Sequence, residues 1–244
     1  MSEDERPAFY ALSPGGWRDY WTLLHPPYTL WHLSYVVIGA ALAPRVNGRW
    51  LLETLAAFFL AMGLAAHALD ELNGRPLRTR IPDGVLRAIA VVGLVGAVAL
   101  GVQGTIEVSP WLWGFIVVGG FMVVAYNLEV FGGAFHSDLW FALAWGAFPV
   151  LTAYFAQTAT IRTEAVLAAA ACAVLSAVQR VLSTPVRRLR RSVSAVSGQL
   201  TLADGSIEPI DASTLRATPE RALRWMSVAV PLFATALLFS RVWR

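Results

Sequence analysis

The feature that most constrains this chain is the recurrence of apolar runs approaching or reaching the length of a bilayer. A spanning α-helix needs about 20 predominantly apolar residues. Runs of this character occupy residues 28–42, 50–69, 85–102, 111–130, 139–155, 165–182 and 225–239. With 57% apolar and only 14% charged residues, the chain lacks the polar surface of an ordinary soluble domain. The expected fold is an all-α polytopic membrane protein with about seven transmembrane helices. The spans and the polar stretches between them divide the chain into an N-terminal tail and interfacial helix (1–24), a six-helix membrane core (25–184), a basic helix extension with a hairpin (185–224) and the seventh span (225–244).

The connecting segments add detail. The acidic start Ser2-Glu3-Asp4-Glu5 lacks the plan of a cleaved signal peptide, so the first span is expected to act as an uncleaved anchor. Residues 1–15 are polar, contain Pro and Gly, and are expected to be mobile. Trp17, Tyr20, Trp21 and Leu24 recur at helical spacing, which suits a short helix in the headgroup region. Near the other end, 199–202 and 206–210 alternate around Ala203-Asp204-Gly205, a signal for a small cytoplasmic β-hairpin before the last helix. Thr218-Pro219-Glu220 reads as the start of that helix.

All nineteen basic residues are arginine, so Schiff-base chemistry on lysine is excluded. The single Cys172 excludes an intramolecular disulfide and a cysteine-based metal site. Loops after the second and sixth spans hold most of the arginines, whereas the opposite loops hold Arg45, Arg49 and Arg162. The positive-inside rule then places the arginine-rich side and the N-terminus in the cytoplasm, with the protein integral to the cytoplasmic (inner) membrane. Topology accounts for these arginines, and no nucleic-acid partner is expected.

Polar residues converge at that same end. His67, Asp70 and Glu71 stand at i, i+3 and i+4, on one face if the second helix continues, and Asn73 follows them. Such a set suits a divalent cation. Arg75, Arg78 and Arg80, just beyond, suit an anionic phosphate-like group. Asn127, Glu129, His136 and Asp138 lie between the fourth and fifth spans, Gln179 and Arg180 close the sixth, and His25 precedes the first. His32 is seven residues beyond His25, on the same face but two turns deeper. An ionisable residue inside a membrane is a functional candidate by default.

In their order and spacing these segments resemble the UbiA-type intramembrane prenyltransferases over roughly residues 20–185. Leu24-His25-Pro26-Pro27-Tyr28-Thr29-Leu30 with Gly39-Ala40-Ala41-Leu42-Ala43 is similar to that family's opening. Ala66-His67-Ala68-Leu69-Asp70, continuing to Arg78-Thr79-Arg80-Ile81-Pro82, stands where the family has its first aspartate-rich motif. Tyr126-Asn127-Leu128-Glu129 and Leu143-Ala144-Trp145-Gly146 resemble the tyrosine motif and the fifth helix. The second aspartate-rich motif has no counterpart in Gln179–Arg188, and the family usually has nine spans.

The resemblance implies a UbiA-like bundle and Mg²⁺-assisted loss of diphosphate from an isoprenoid diphosphate or related membrane lipid. In that reading Asp70, His67 and Tyr126 are catalytic. Arg75, Arg78, Arg80, Arg180, Asn127, His25 and His32 bind substrate, and His67, Asp70, Glu71, Asn73, Glu129, His136 and Asp138 serve the metal. A second reading is a membrane lipid enzyme using Fe, Zn or Mn on the histidines and carboxylates. A third is a non-catalytic lipid-binding or assembly protein on the same scaffold.

Overall fold

The computed structural model describes residues 6–242, with side chains through Arg241; the acidic start Ser2-Glu3-Asp4-Glu5 lies outside the described residues. The chain is mostly helical. In order it forms α1 (Trp17–Leu23), α2 (Pro26–Ala41), α3 (Gly48–Leu72), α4 (Asp83–Glu107), α5 (Leu112–Asn127), α6 (Asp138–Thr158) and α7 (Thr163–Arg191). Strands β1 (Gly198–Thr201) and β2 (Ile207–Ile210) follow, then α8 (Ala212–Val242).

Helices α3, α4, α6, α7 and α8 are long and apolar enough to cross a membrane, as befits a multi-pass membrane protein. The expected count of seven spans is therefore met in part. Helices α2 and α5 have 16 residues each. At 1.5 Å per residue, each is about 24 Å long, against a hydrocarbon core of about 30 Å.

Helix α2 lies between α6 and α8, α7 packs on α6, and α4 packs on α3. Small residues set these distances. A Cβ on Gly39 would sit 2.3 Å from the Val150 carbonyl oxygen, and one on Gly146 would sit 2.6 Å from that of Cys172. Around these crossings Trp31, Tyr35, Val150 and Tyr154 are fully buried, and Trp31 Nε1 donates to Tyr35 Oη at 2.5 Å.

Two helices widen into π-helical turns, α3 over Phe59–Ala66 and α6 over Ala142–Ala147. A π turn shifts the face on which later side chains emerge, and such turns recur at functional sites. Here the first delivers His67 and Asp70, and the second contains Trp145.

The hairpin pairs antiparallel, with Gly198 opposite Ile210 and Thr201 opposite Ile207. Its turn has Gly205 at φ 84° and Asp204 Oδ1 accepting from the Ser206 amide at 2.9 Å. The last helix does not start at Thr218. It begins at Ala212 and carries Pro219 inside it. Asp211 supplies the opening, its Oδ1 accepting from the Thr214 amide at 2.7 Å and from the Ser213 and Thr214 hydroxyls. Pro219 is the eighth residue of this helix and cannot supply the N–H that would bond the Leu215 carbonyl, yet the Asp211 cap sets the start ahead of it.

Candidate functional site

The chain after α3 turns back on itself, and Glu71 is the reason. Its side chain is fully buried, with Oε1 accepting from the Thr79 amide (2.8 Å) and hydroxyl (2.9 Å) and Oε2 from the Leu77 amide (2.9 Å). Arg75 braces the same loop, donating to the carbonyls of Thr79 and Ile81 and pairing with Asp83. Asp19 of α1 accepts from the Arg80 amide at 3.1 Å, fixing the loop over the interfacial helix.

This fold-back presents the other side of α3 to a polar cavity of about 110 Å³. Asp70 and His67 line it from α3, with His25, Tyr28 and His32 from the start of α2. Tyr126 and Asn127 come from the end of α5, and His136, Phe141 and Trp145 from the following loop and α6. Gln179, Arg180, Ser183 and Arg187 come from α7, and residues 7–10 complete the wall.

Within the cavity the rings are ordered by stacking. His25 stacks on His67 with centroids 4.2 Å apart and planes 13° apart. Tyr126 stacks on His136 at 4.5 Å and contacts Trp145 at 4.5 Å. His67 Nδ1 donates to the Gly63 carbonyl at 3.1 Å, which leaves its Nε2 as the unprotonated nitrogen of a neutral ring. His136 Nδ1 likewise donates to the Tyr126 carbonyl, and His32 Nε2 to Gln179 Oε1 at 2.9 Å.

His25 shares a 2.8 Å hydrogen bond through Nδ1 with Tyr10 Oη. Burial, reinforced by His67 beside it, holds the His25 imidazole well below its ordinary range, so it is neutral. The same burial raises the Tyr10 phenol. His25 Nε2 and Tyr126 Oη are buried with no hydrogen-bond partner among the described residues. Backbone strain gathers at this end: His25, Arg75, Arg78, Glu129 and Phe131 all have positive φ, a conformation disfavoured for side-chain-bearing residues.

Asp70, His67, Tyr126, Asn127, His25, His32, His136 and Arg180 from the sequence reading thus meet in one cavity. Others do not join them. Glu71 points the opposite way, because consecutive helix residues diverge by about 100° and its carboxylate is filled by the loop. Arg75 is consumed by that loop, Arg78 donates to the Arg191 carbonyl at 3.4 Å, and the Arg80 side chain is exposed. Asn73 donates to the Asn127 carbonyl at 3.3 Å. Glu129, 3.8 Å from His136, and Asp138, paired with Arg180 at 2.8 Å, stand outside the lining.

Magnesium is held by oxygen ligands, usually one or two carboxylates with water and substrate phosphate. This lining has one carboxylate, Asp70, against Arg180 and Arg187, and its His25 and His67 imidazoles are stacked face to face. Among the described residues no three His, Cys, Asp or Glu side chains gather as a metal group. The donor set does not fit the expected paired-carboxylate Mg²⁺ site, nor an Fe, Zn or Mn centre.

Of the tail expected to be mobile, residues 7–10 line the cavity and Ala8 and Ala11 are buried, while residues 1–5 lie outside the described residues. Arg187 was expected only as part of a basic extension, yet it stands seven residues from Arg180, two turns along the same face. Gln179, Ser183, Val186 and Arg187 together mark that face of α7.

A second, apolar groove of about 140 Å³ runs between α3, α4, α5 and α6, from Trp50 and Glu53 near the opposite end to Met62, Val123 and Trp145. Trp145 is a wall of both spaces. Comparisons with protein-family models, with curated proteins and with solved structures found no match.

Proposed function

We propose that the chain is a divergent UbiA-like membrane transferase acting on an isoprenoid diphosphate or a related anionic isoprenoid lipid, with the reaction centre in the polar cavity. One observation carries this reading: a small cavity with two guanidinium groups shares the Trp145 wall with a long apolar groove. That layout suits an amphiphile with an anionic head and an extended hydrocarbon tail.

In this reading Arg180 and Arg187 take the charge that a metal pair would otherwise neutralise. Guanidinium groups do this through paired, charge-assisted hydrogen bonds to phosphate oxygens. Heterolysis of the allylic C–O bond leaves diphosphate with the bonding electrons and an allylic cation behind. Asp70 offsets that positive charge, and the faces of Tyr126, Phe141 and Trp145 lie against it. His67, with a free Nε2, is placed to accept the proton that the acceptor releases on capture of the cation. The surrounding bilayer supplies the lipid, and the arginine-rich end carrying the cavity is assigned to the cytoplasmic face.

The test is binding and turnover of farnesyl diphosphate by detergent-purified protein, with farnesol as the uncharged control. The diphosphate is expected to bind and farnesol not. Arg187→Gln should weaken binding roughly 10- to 100-fold, as for one charge-assisted hydrogen bond lost from a shielded site. Asp70→Asn should retain binding and stop diphosphate release. Equal binding of both lipids by wild type would remove the proposed head-group site. Binding without release by wild type would instead favour the non-catalytic lipid-binding reading.

A further inference from the structure

Residues 6–10 belong to no helix or strand, yet residues 7–10 line the cavity beside groups that are otherwise helix-borne, except for His136 and the His25 turn. Side chains, not a backbone ladder, hold this segment in place. Arg190 donates to the Arg6 carbonyl at 3.1 Å, Arg191 Nε to the Pro7 carbonyl at 3.3 Å, and Tyr10 Oη bonds His25 at 2.8 Å. Phe9 meets Tyr28 edge-on at 6.0 Å, and the Arg224 guanidinium lies 4.9 Å above its ring. Beyond it, the Leu12 amide donates to Thr22 Oγ1 at 3.0 Å and anchors the segment to α1.

We propose that residues 6–10 are a strap that closes the polar cavity, and that its release from Arg191 and His25 opens the way in for ligand. Three features argue for this. Residues 7–10 form one wall of a cavity of about 110 Å³, so their displacement widens the space through which a head group enters. Segments joined by a few side-chain bonds open at lower free energy than packed helices. A phosphate oxygen is also a stronger acceptor than the Pro7 carbonyl, so an arriving anion competes directly for Arg191. The inference rests on reading the cavity as the ligand site.

The test reads access to the cavity without any substrate. In a Cys172→Ala background, Ser183→Cys places a thiol on the cavity wall, where Ser183 is 6% exposed. Its modification by a methanethiosulfonate bearing a trimethylammonium group is timed in detergent, with the strap intact and with Arg191→Gln or Tyr10→Phe. The released variants should react at least about tenfold faster, one decade being the effect of roughly 1.4 kcal/mol on an opening equilibrium. Ser206→Cys on the exposed hairpin serves as the control and should react equally in all three.

Tyr10→Phe removes one hydroxyl and keeps the ring, so it reports on the strap even if Arg191→Gln fails to fold. Equal Ser183→Cys rates with and without the strap bonds would overturn the proposal. Failure of farnesyl diphosphate to bind would leave these rates unaffected, so the two readings fail separately.

Discussion

Asp70 and Glu71 are adjacent acids with opposite duties. Glu71 is buried against three donors and holds the fold-back after α3, whereas Asp70 faces the cavity. Glu71→Ala should therefore lower stability by about 2–3 kcal/mol, because it leaves the Leu77 and Thr79 donors unsatisfied in a buried loop. Glu71→Gln should cost about 1–2 kcal/mol, since one amide end opposes the Leu77 N–H. Asp70→Asn should leave thermal stability nearly unchanged while removing turnover. Melting curves of the three variants decide the matter, and an unstable Asp70→Asn beside a stable Glu71→Ala would reverse the assignment. The i, i+3, i+4 spacing grouped both acids with His67 because a face is legible in sequence. The chain reversal after Leu72 that claims Glu71 depends on donors six and eight residues away, which spacing does not encode. Tyr10 was hidden for a similar reason: its partner, His25, is fifteen residues distant and within no common periodicity.

At the scale of elements, the π turns of α3 and α6 decide which side chains reach the cavity, and both are fixed by close backbone contact. Gly146 sits in the second, against the Cys172 carbonyl of α7. Gly146→Ala should cost roughly 1–3 kcal/mol by forcing the helices apart, and it should shift Trp145, seen as a change in tryptophan fluorescence. Gly114→Ala, in open space on α5, should be neutral or slightly stabilising. Equal melting temperatures for the two would mean that the α6–α7 approach is not tight. The start of α8 makes a separate prediction. Hydrogen bonds from the Ser213 hydroxyl and from Thr214 pull the Asp211 carboxyl from its ordinary 3.8 down to about 2. Because the folded value is the lower one, the cap is complete above pH 3.8 and fails as the pH falls through about 2. Protection of the Thr214 amide, its exchange relative to the intrinsic rate at each pH, should fall over that interval, and Asp211→Ala should lack it at neutral pH. Unchanged protection down to pH 2 would mean that another group holds the helix start.

For the whole molecule, the decisive property is that its polar and apolar ends differ. The strap, the loop after α3, the α5–α6 loop, the end of α7 and the hairpin share one end. The other end is tied by Asn47 with Gln157 at 2.7 Å and by Arg49 with Glu107 at 2.7 Å. Long apolar runs made the helices legible in sequence, since hydrophobic length is a local property. The two 16-residue helices are where that signal is weakest, because run length alone does not say whether a short helix crosses or is buried by its neighbours. Alternating loop charge nevertheless carries a topology: Arg45, Arg49 and Arg162 lie at one end, and the 187–191 arginines at the other. Since α7 alone lies between them and is long and apolar enough to cross, the loops at 160 and 204 are expected to face opposite compartments. In a Cys172→Ala background, Thr160→Cys should then be labelled in intact cells by an impermeant thiol reagent. Asp204→Cys should be labelled only after the membrane is opened. The reverse pattern would put the cavity outside the cell, where no cytoplasmic isoprenoid diphosphate reaches it. Labelling of both in intact cells would mean that the chain between them crosses an even number of times, and since α7 alone separates the two positions, that α7 does not span.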